Sequence, residues 1–390
     1  MSLKVAIGIP SYQEADSISY VTRQIDVGLR RILDIDDCLI VNVDSNSSDN
    51  TTGVFLKTPT QCHKESFVIK SLKRGKGRNL LYFFQYCCDR ETDFIVTIDA
   101  DITTITPEWV EALLSPLMDG IADYVTPIYN RNRFEGSTTN HFAYPILHGF
   151  YGVDLRQPIA GEFALNRKLL NYLLQQVDSF SQLEIDALYG YGIDIFMSMH
   201  AAGGKFRIRQ IPLTNKFHKP SFPKITGMFQ EVATTAINVM RNYNFSLVTD
   251  QINKPENTSF INHISSYPHY HSAQQLLKLM QTKACQFEPV YNSWLEANNS
   301  ELAMVLRAET ASMSCELWTD ILSGLIINII LSEINAAHIL AEQLLPLFIL
   351  RTVTFWNQSI DLSPEIVEQN IVNQSHLFSR KLSYSYHNKS

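Results

Sequence analysis

The sequence predicts an α/β fold with a mostly parallel sheet, followed by an α-helical C-terminal lobe. In the first half of the chain, short apolar runs rich in β-branched residues alternate with stretches of helical periodicity, as in a sheet covered by helices on both faces. From about Ile225 onward, long amphipathic stretches continue without a convincing strand. We therefore predict two domains, residues 1–224 and residues 225–390, with a frayed polar tail from Lys381.

The expected elements of the first domain follow one another in a regular order. Apolar residues repeat at helical spacing after Ser17, and Pro107 occupies a position typical of the start of a helix. Strands are predicted at residues 4–9, 38–43, 67–72, from Phe94 into an acidic pair, at 124–129 and at 206–211. Helices are predicted at residues 18–29, 80–88, 107–117, 168–176 and 190–200, and the segment 157–165 returns to the sheet.

The composition indicates a folded protein and argues against several classes of function. Of the 390 residues, 45% are hydrophobic and only 18% are charged, which indicates a large core and not a disordered chain. The formal net charge of -7 argues against a general nucleic-acid binder, in which lysine and arginine would cluster. Six scattered cysteines without paired spacing are typical of reduced thiols and predict a cytoplasmic protein.

No segment is expected to span a membrane. The first ten residues form a strand pattern that enters a turn, and this stretch is too short and too rich in β-branched residues for a secretory segment. The most apolar later region, residues 321–350, is interrupted by Glu333, His338 and Glu342, so it predicts buried helices. A large apolar helical lobe would also suit a homodimer.

Two carboxylates, Asp99 and Asp101, follow the buried strand that begins at Phe94. On an extended chain, residues two apart point to the same side. Acids at the end of a buried strand are costly without a partner. Solvated turns also carry such pairs, but after a buried strand the usual partner is a divalent cation that carries a phosphate, because hard cations prefer oxygen ligands.

Polar loops follow four of the expected strands. In open α/β sheets, ligands bind outside the carboxyl ends of the strands, so we expect these loops to share one rim. The loops are residues 10–14, Asp44-Ser45, Gly75-Lys76-Gly77 and Asp99-Ala100-Asp101.

Six segments of the chain, taken in order, resemble the GT-A glycosyltransferases. Within that group the chain is similar to the retaining enzymes mannosylglycerate synthase and glucosyl-3-phosphoglycerate synthase, mainly through residues 157–162 and 191–194. The resemblance covers about residues 1–220 by motif, while the helical lobe resembles mannosylglycerate synthase only in length and character. The six segments are residues 10–14, 44–49, 75–77, 99–101, 157–162 and 191–194.

The resemblance implies a metal-dependent transfer of a hexose, with retention, from a UDP- or GDP-hexose to a small hydroxy acid such as glycerate or 3-phosphoglycerate. It implies Mg²⁺ or Mn²⁺ bound by Asp101 and His218. The residues implied for the nucleotide sugar are Pro10, Tyr12, Glu14, Asp44, Ser45, Lys76, Asp99 and Ala100. Those implied for catalysis are Lys76, Glu162 and Asp194, and those for the acceptor are Arg131, Arg133, Thr139, Gly161 and Glu162.

One departure from the family bears on the acceptor. Where glucosyl-3-phosphoglycerate synthase carries an arginine that binds the acceptor phosphate, this chain has Ser137. A phosphate without a cation loses its strongest contact, whereas Arg131 or Arg133 could bind a plain carboxylate through two hydrogen bonds. We therefore expect glycerate or a similar hydroxy acid in preference to its phosphorylated form.

Other functions remain open from the sequence. The pattern Asp99-x-Asp101-x-Thr103 also fits the nucleophile strand of haloacid-dehalogenase-type phosphatases, in which the first aspartate attacks phosphorus. That strand normally opens its domain, however, and here about ninety residues precede it. A catalytically inactive sugar-nucleotide-binding protein is another alternative. If Asp194 acted as a base on the acceptor, the anomeric centre would be inverted.

Overall fold

The computed structural model describes residues 4–71, 73–182, 184–217, 219, 222–243, 269–295, 299–331 and 336–389. The chain divides into two compact units. The first consists of Met1–Asn130 and Ile159–Pro220, and the second of Arg131–Pro158 and Ser221–Ser390. Residues 131–158, which were predicted to belong to the first domain, are part of the helical unit.

The first unit is built on a seven-stranded sheet with the order β3-β2-β1-β4-β6-β5-β7. Only β6 runs antiparallel to its neighbours, so the predicted mixed, mostly parallel sheet is confirmed. The strands are β1 (Val5–Ser11), β2 (Cys38–Asp44), β3 (His63–Val68), β4 (Phe94–Thr97), β5 (Tyr124–Asn130), β6 (Phe163–Asn166) and β7 (Ile208–Asn215).

The two edge strands differ most from the prediction. β3 was expected at residues 67–72, but it pairs with β2 from His63 to Val68. Edge strands face solvent along much of their length, so their polar residues do not show the apolar run of a buried strand. β7 was expected at residues 206–211 and extends instead to Asn215.

The helices lie between and after the strands. In chain order they are α1 (Ile18–Ile32), α2 (Thr51–Lys57), α3 (Lys76–Asp89), α4 (Pro107–Met118), α5 (Tyr144–Tyr151), α6 (Arg167–Gln176), α7 (Ile185–Tyr189), α8 (Gly192–Gly203), α9 (Ile225–Arg241), α10 (Tyr270–Gln286), α11 (Glu288–Trp294), α12 (Ser300–Arg307), α13 (Cys315–Leu331), α14 (Ala337–Ser359) and α15 (Pro364–Lys389).

The described part of the second unit is helical, as predicted for residues after 225. A π-helical turn, Thr139–Ala143, leads into α5. α15 continues to Lys389, so the prediction of a frayed tail from Lys381 was wrong, because the C-terminal residues extend a packed helix. One described helix, α14, is long and apolar enough to cross a membrane, and 83% of its apolar window is buried, as in the core helix of a globular unit.

Candidate active site

The carboxyl ends of β1 and β2 lie side by side, with Ser11 next to Asp44 in the parallel register. The buried carboxylate of Asp44 accepts hydrogen bonds from the Ser11 hydroxyl at 3.0 Å and from the backbone N–H of Ser47 at 2.7 Å. The Ser45 hydroxyl donates to Asn79 at 3.1 Å. The side chains of Asp44 and Ser45 therefore hold the loop after β2 in place.

The loop after β1 carries the more accessible candidates for nucleotide binding. Tyr12 is 40% exposed, and the guanidinium of Arg74 lies 4.5 Å from the centre of its ring. The Glu14 carboxylate accepts a hydrogen bond from Lys219 Nζ at 2.6 Å, and partial burial raises its pKa. Pro10 is buried within β1 and pairs with Val43.

The two glycines that flank Lys76 permit a close backbone contact. A Cβ at Gly75 would lie 2.1 Å from the carbonyl oxygen of Tyr189, and one at Gly77 would lie 1.9 Å from that of Leu188. The Gly77 N–H also donates to the Gly190 carbonyl at 2.9 Å. The start of α3 thus packs directly on the end of α7 and on Gly190, which follows it.

This contact places Lys76, the first residue of α3, beside Asp194 in the first turn of α8. Lys76 Nζ lies 3.1 Å from Asp194 Oδ2 and 2.8 Å from Asp99 Oδ1. A second lysine, Lys216, lies 2.8 Å from Glu162 Oε2 and 3.7 Å from Asp99 Oδ2. We refer to these five residues, with two lysines and three carboxylates, as the acid–lysine cluster.

The acid–lysine cluster is largely buried, and burial governs its protonation. Glu162 is fully buried, and the Lys216 side chain is 4% exposed. Burial raises the pKa of Glu162 and of Asp194, and the nearby lysines oppose that rise. Burial alone would lower the pKa of Lys76, but Asp194 and Asp99 outweigh it, so the pKa of Lys76 is raised and the lysine stays charged.

Two carboxylate oxygens of the acid–lysine cluster lack a hydrogen-bond donor among the described residues. Glu162 Oε1 and Asp194 Oδ1 are buried and have no hydrogen-bond partner among the residues that the structure describes. The other oxygen of each group is engaged, Glu162 Oε2 by Tyr129 and Lys216, and Asp194 Oδ2 by Lys76. A buried acceptor without a donor is costly, so a hydrogen-bond donor from a bound molecule would stabilise each of these two atoms.

Gly161 makes room for the cluster. Its φ of +99° is a conformation that side chains rarely adopt, and a Cβ there would lie 2.3 Å from Asp99 Oδ2 and 2.8 Å from Lys216 Nζ. The structure therefore explains Gly161 by the space that Asp99 and Lys216 need.

Asp101 lies at the start of the loop after β4, two residues beyond Asp99 and next to the buried Ala100. Its Oδ2 accepts a hydrogen bond from the backbone N–H of Lys219 at 3.2 Å, and burial together with Asp99 raises its pKa. His218, the other predicted metal ligand, lies outside the described residues. Among the residues that are described, no group of three His, Cys, Asp or Glu side chains could hold a metal ion.

The predicted acceptor residues Arg131, Arg133 and Thr139 belong to the second unit. The guanidinium of Arg133 donates to the carbonyl oxygens of Ser359, the last residue of α14, and of Leu362 just beyond it, so its side chain caps that helix. Thr139 opens the π-helical turn, and its hydroxyl is buried.

Three consecutive hydroxyl side chains begin the helical segment 137–151, which contains the π-helical turn and α5. The side-chain oxygens of Ser137, Thr138 and Thr139 are all buried and have no hydrogen-bond partner among the described residues. Arg131 runs alongside the same turn, since a Cβ built at Gly136 would lie 3.5 Å from its guanidinium.

Sequence reasoning missed Lys216 and Tyr129. Lys216 follows the end of β7, only two residues before His218, but a lysine in a loop looks solvated in a sequence. Tyr129 lies near the end of β5, and its hydroxyl donates to Glu162. The available signal was the position of both residues at the ends of strands, Tyr129 just inside β5 and Lys216 just past β7.

Residues 6–181 match the sequence model of glycosyl transferase family 2. No curated protein matches the chain. Among solved structures, the chain is similar to glucosyl-3-phosphoglycerate synthase from Mycobacterium tuberculosis. One complex, with Mn²⁺, uridine diphosphate and phosphoglyceric acid, shows 22% identity and a TM-score of 0.48 over 60% of this chain and 77% of that chain.

A second complex of the same enzyme, with Mg²⁺ and uridine diphosphate, shows 21% identity and a TM-score of 0.47 over 60% of this chain and 78% of that chain. The family match spans the strands β1 to β6 and the loops that carry Lys76, Asp99 and Glu162. Over residues 6–181, the chain is therefore similar to glycosyl transferase family 2, and most of its mixed, mostly parallel sheet lies in that stretch.

Proposed function

We propose that the chain is a metal-dependent hexosyltransferase that moves a hexose from a nucleotide-diphosphate sugar to a small hydroxy acid. The acid–lysine cluster carries this proposal. Its two open oxygens, Glu162 Oε1 and Asp194 Oδ1, are buried acceptors that need neutral donors. Sugar hydroxyls are such donors, and they satisfy both atoms without adding charge to the interior.

The leaving diphosphate would be bound by Lys76 and by a divalent metal at Asp101. Asp101 fits a hard cation, since burial and the neighbouring Asp99 raise its pKa and favour an added positive charge. Lys219, the residue after His218, donates its backbone N–H to Asp101, which supports His218 as a second ligand. When bound, Mg²⁺ or Mn²⁺ would neutralise charge that develops on the diphosphate.

In this mechanism the lysine and the carboxylates have separate tasks. Lys76 stays protonated, so it acts as a fixed cation toward the diphosphate and not as a base. Glu162 and Asp194 hold sugar hydroxyls and stabilise positive charge at the reacting sugar carbon. Because Asp194 is bound to Lys76, we assign it to the sugar and not to deprotonation of the acceptor, which favours retention.

The acceptor is proposed to be a hydroxy acid whose acid group binds at the first turn of the helix that begins at Ser137. The hydroxyl groups of Ser137, Thr138 and Thr139 are buried and lack partners among the described residues. The N–H groups of a first helical turn also favour an anion. Arg131 runs alongside the same turn, so we assign Arg131 to the acceptor, whereas Arg133 donates to carbonyl oxygens at the end of α14. One arginine suits a carboxylate, so we propose glycerate ahead of 3-phosphoglycerate.

The test is a transfer assay with UDP- and GDP-linked glucose and mannose, D-glycerate or 3-phosphoglycerate, and Mg²⁺ or Mn²⁺. We expect a glycosylated acid of retained configuration, read from the anomeric coupling in NMR. We expect Glu162→Gln to lower kcat by about a hundredfold or more, because it removes a carboxylate that acts in the transition state. Glu111→Gln, at an exposed ion pair with Arg31, is the matched control.

Absence of any product with all four donors, with donor binding intact, would overturn the proposal in favour of an inactive sugar-nucleotide-binding protein. The phosphatase alternative gains no support from the geometry. The nucleophile strand of such phosphatases normally opens its domain, whereas Asp99 follows β4, the fourth strand in chain order. The cytoplasmic location and a homodimer stay proposals.

A further inference from the structure

The helix that begins at Ser137 is wider than an α-helix in its early part. Residues 137–151 are helical throughout, and Thr139–Ala143 form the π-helical turn. A π-turn shifts the backbone hydrogen bonds and leaves carbonyl oxygens open to other donors, and such turns occur frequently at functional sites. Here two consecutive carbonyls of the turn, those of Asn140 and His141, accept hydrogen bonds from side chains of distant helices.

Gln374 of α15 supplies one of these bonds. Its Nε2 donates to the Asn140 carbonyl at 3.0 Å, while its Oε1 accepts from Arg351 Nε at 2.9 Å and lies 3.2 Å from His141 Nδ1. Gln374 is fully buried. A buried side chain with three such partners has one defined position, so it holds the turn rigidly.

Two further contacts hold the same turn. Trp318 of α13 donates its indole N–H to the His141 carbonyl at 2.9 Å. Arg156 donates to the Asn140 side chain at 3.0 Å and makes two hydrogen bonds to Glu368 of α15, at 2.7 and 2.9 Å. The main chain and the side chain of Asn140 are therefore both anchored to α15.

The anchored turn starts with Ser137, Thr138 and Thr139, whose hydroxyls the proposed function assigns to the acid group of the acceptor. Because interiors are close-packed, a shift of Asn140 or His141 moves the residues immediately before them. We propose that Gln374 is a positioning residue for the acceptor, which holds the π-helical turn and thereby sets acceptor affinity without touching substrate. This inference rests on the proposed function.

The decisive variant is Gln374→Glu. It keeps the size of the side chain and an oxygen for Arg351, but it replaces the amide donor to the Asn140 carbonyl with a second oxygen. We expect the acceptor KM to rise about tenfold, the effect of one lost buried hydrogen bond with an unsatisfied carbonyl, while the donor KM and kcat change by less than about threefold. Trp318→Phe removes the bond to His141 and is expected to act in the same direction.

Gln281→Glu is the matched control. Gln281 is also a buried glutamine of the second unit, and its Nε2 donates to the carbonyls of Val305, Leu306 and Ala308 around the end of α12. This variant loses equivalent bonds at another place, so we expect the free energy of unfolding to drop while the acceptor KM stays within about twofold of wild type.

The outcomes separate the two proposals. If the wild-type protein transfers no sugar, the proposed function is overturned, and this inference is overturned with it. If wild type is active but Gln374→Glu and Trp318→Phe keep its acceptor KM, the positioning role is overturned and the function stands. An equal rise in acceptor KM for Gln281→Glu would assign the effect to general destabilisation and also overturn it. If Gln374→Glu does not fold, Trp318→Phe alone decides.

Discussion

Lys216 shows how one side chain can organise a buried site. Its Nζ contacts Glu162 at 2.8 Å and the Ala160 carbonyl at 2.6 Å, in a position where the side chain is 4% exposed. A lysine and a glutamate at such depth are stable only as a pair, since each would otherwise be an uncompensated charge in the interior. The pair also leaves Glu162 Oε1 free to accept a hydrogen bond from a ligand.

The first prediction concerns this pair. Lys216→Met leaves Glu162 buried without its cation, so we expect the free energy of unfolding to fall by about 3–5 kcal/mol. Adding Glu162→Gln removes the stranded charge and should recover part of the loss. Urea unfolding of the single and double variants measures both effects. Simple additivity of the two substitutions would contradict the coupling.

The second prediction concerns Gly161. Gly161→Ala places a Cβ 2.3 Å from Asp99 Oδ2, so Asp99 must move, and we expect kcat for sugar transfer to drop by about a hundredfold. Gly120→Ala is the matched control, because Gly120 also has a positive φ, of +66°, but nothing lies within 4 Å of its Cβ position. The control should lose about 1 kcal/mol of stability from the strained backbone and keep its kcat. Similar kcat values for both variants would show that space beside Asp99 is not required.

At the scale of elements, the contact between α3 and the chain from α7 to α8 assembles the site. Gly75 and Gly77 let the start of α3 touch the carbonyls of Tyr189 and Leu188. This brings Lys76 within 3.1 Å of Asp194, although 118 positions separate them in the chain. The two glycines beside Lys76 are therefore required for this packing contact, which is a different role from that of glycines in a phosphate-binding loop.

The third prediction tests that contact. Gly77→Ala directs a methyl group at the Leu188 carbonyl, 1.9 Å away, and pushes the start of α3 away from the end of α7. We expect kcat/KM for the donor to fall by about tenfold or more as Lys76 separates from Asp194. Gly227→Ala in α9, where nothing lies within 4 Å of the Cβ position, should be neutral or stabilise the protein by up to about 1 kcal/mol. Steady-state kinetics and thermal unfolding of the two variants provide the comparison, and an unchanged Gly77→Ala enzyme would refute the role of the contact.

At the scale of the whole molecule, buried histidines link stability to pH. Burial lowers the pKa of His148 to about 4 and that of His200 to about 4, and it lowers the pKa of His141 well below its usual range. An unfolded histidine titrates near pH 6.5, so the unfolded chain binds more protons below that pH. The stability that these histidines contribute is therefore complete above about pH 6.5 and is lost as pH falls toward 4.

The fourth prediction follows from that linkage. We expect the free energy of unfolding to decrease between pH 7.5 and pH 5 by roughly 1–2 kcal/mol for each of these histidines. His148→Phe should reduce this difference by one histidine's share, whatever it does to stability at pH 7.5. The exposed His63, replaced by glutamine, is the control and should leave the difference unchanged. Urea unfolding at the two pH values measures this difference in the free energy of unfolding. An unchanged difference in the His148→Phe variant would contradict the linkage.

The separation of the chain into two units was only partly visible in the sequence. The change to helices after residue 225 was predicted, but the assignment of residues 131–158 to the helical unit was not. Those residues follow a strand directly, so their sequence looks like part of the sheet domain. Their partners, such as Glu368 and Gln374, lie more than two hundred positions away, and no local pattern indicates them.

The alternating strands and helices, the mostly parallel sheet and the polar residues after its strands could be predicted from the amino-acid sequence, because periodicity and strand-end positions are local properties. What those residues contact depends on the folded structure. In the folded protein, Lys76 pairs with Asp194, and Lys216, which was not predicted, pairs with Glu162. Asp44 and Arg133 form hydrogen bonds to backbone groups. The reason is physical: which charges pair in an interior depends on packing distances of a few ångströms between segments far apart in the chain.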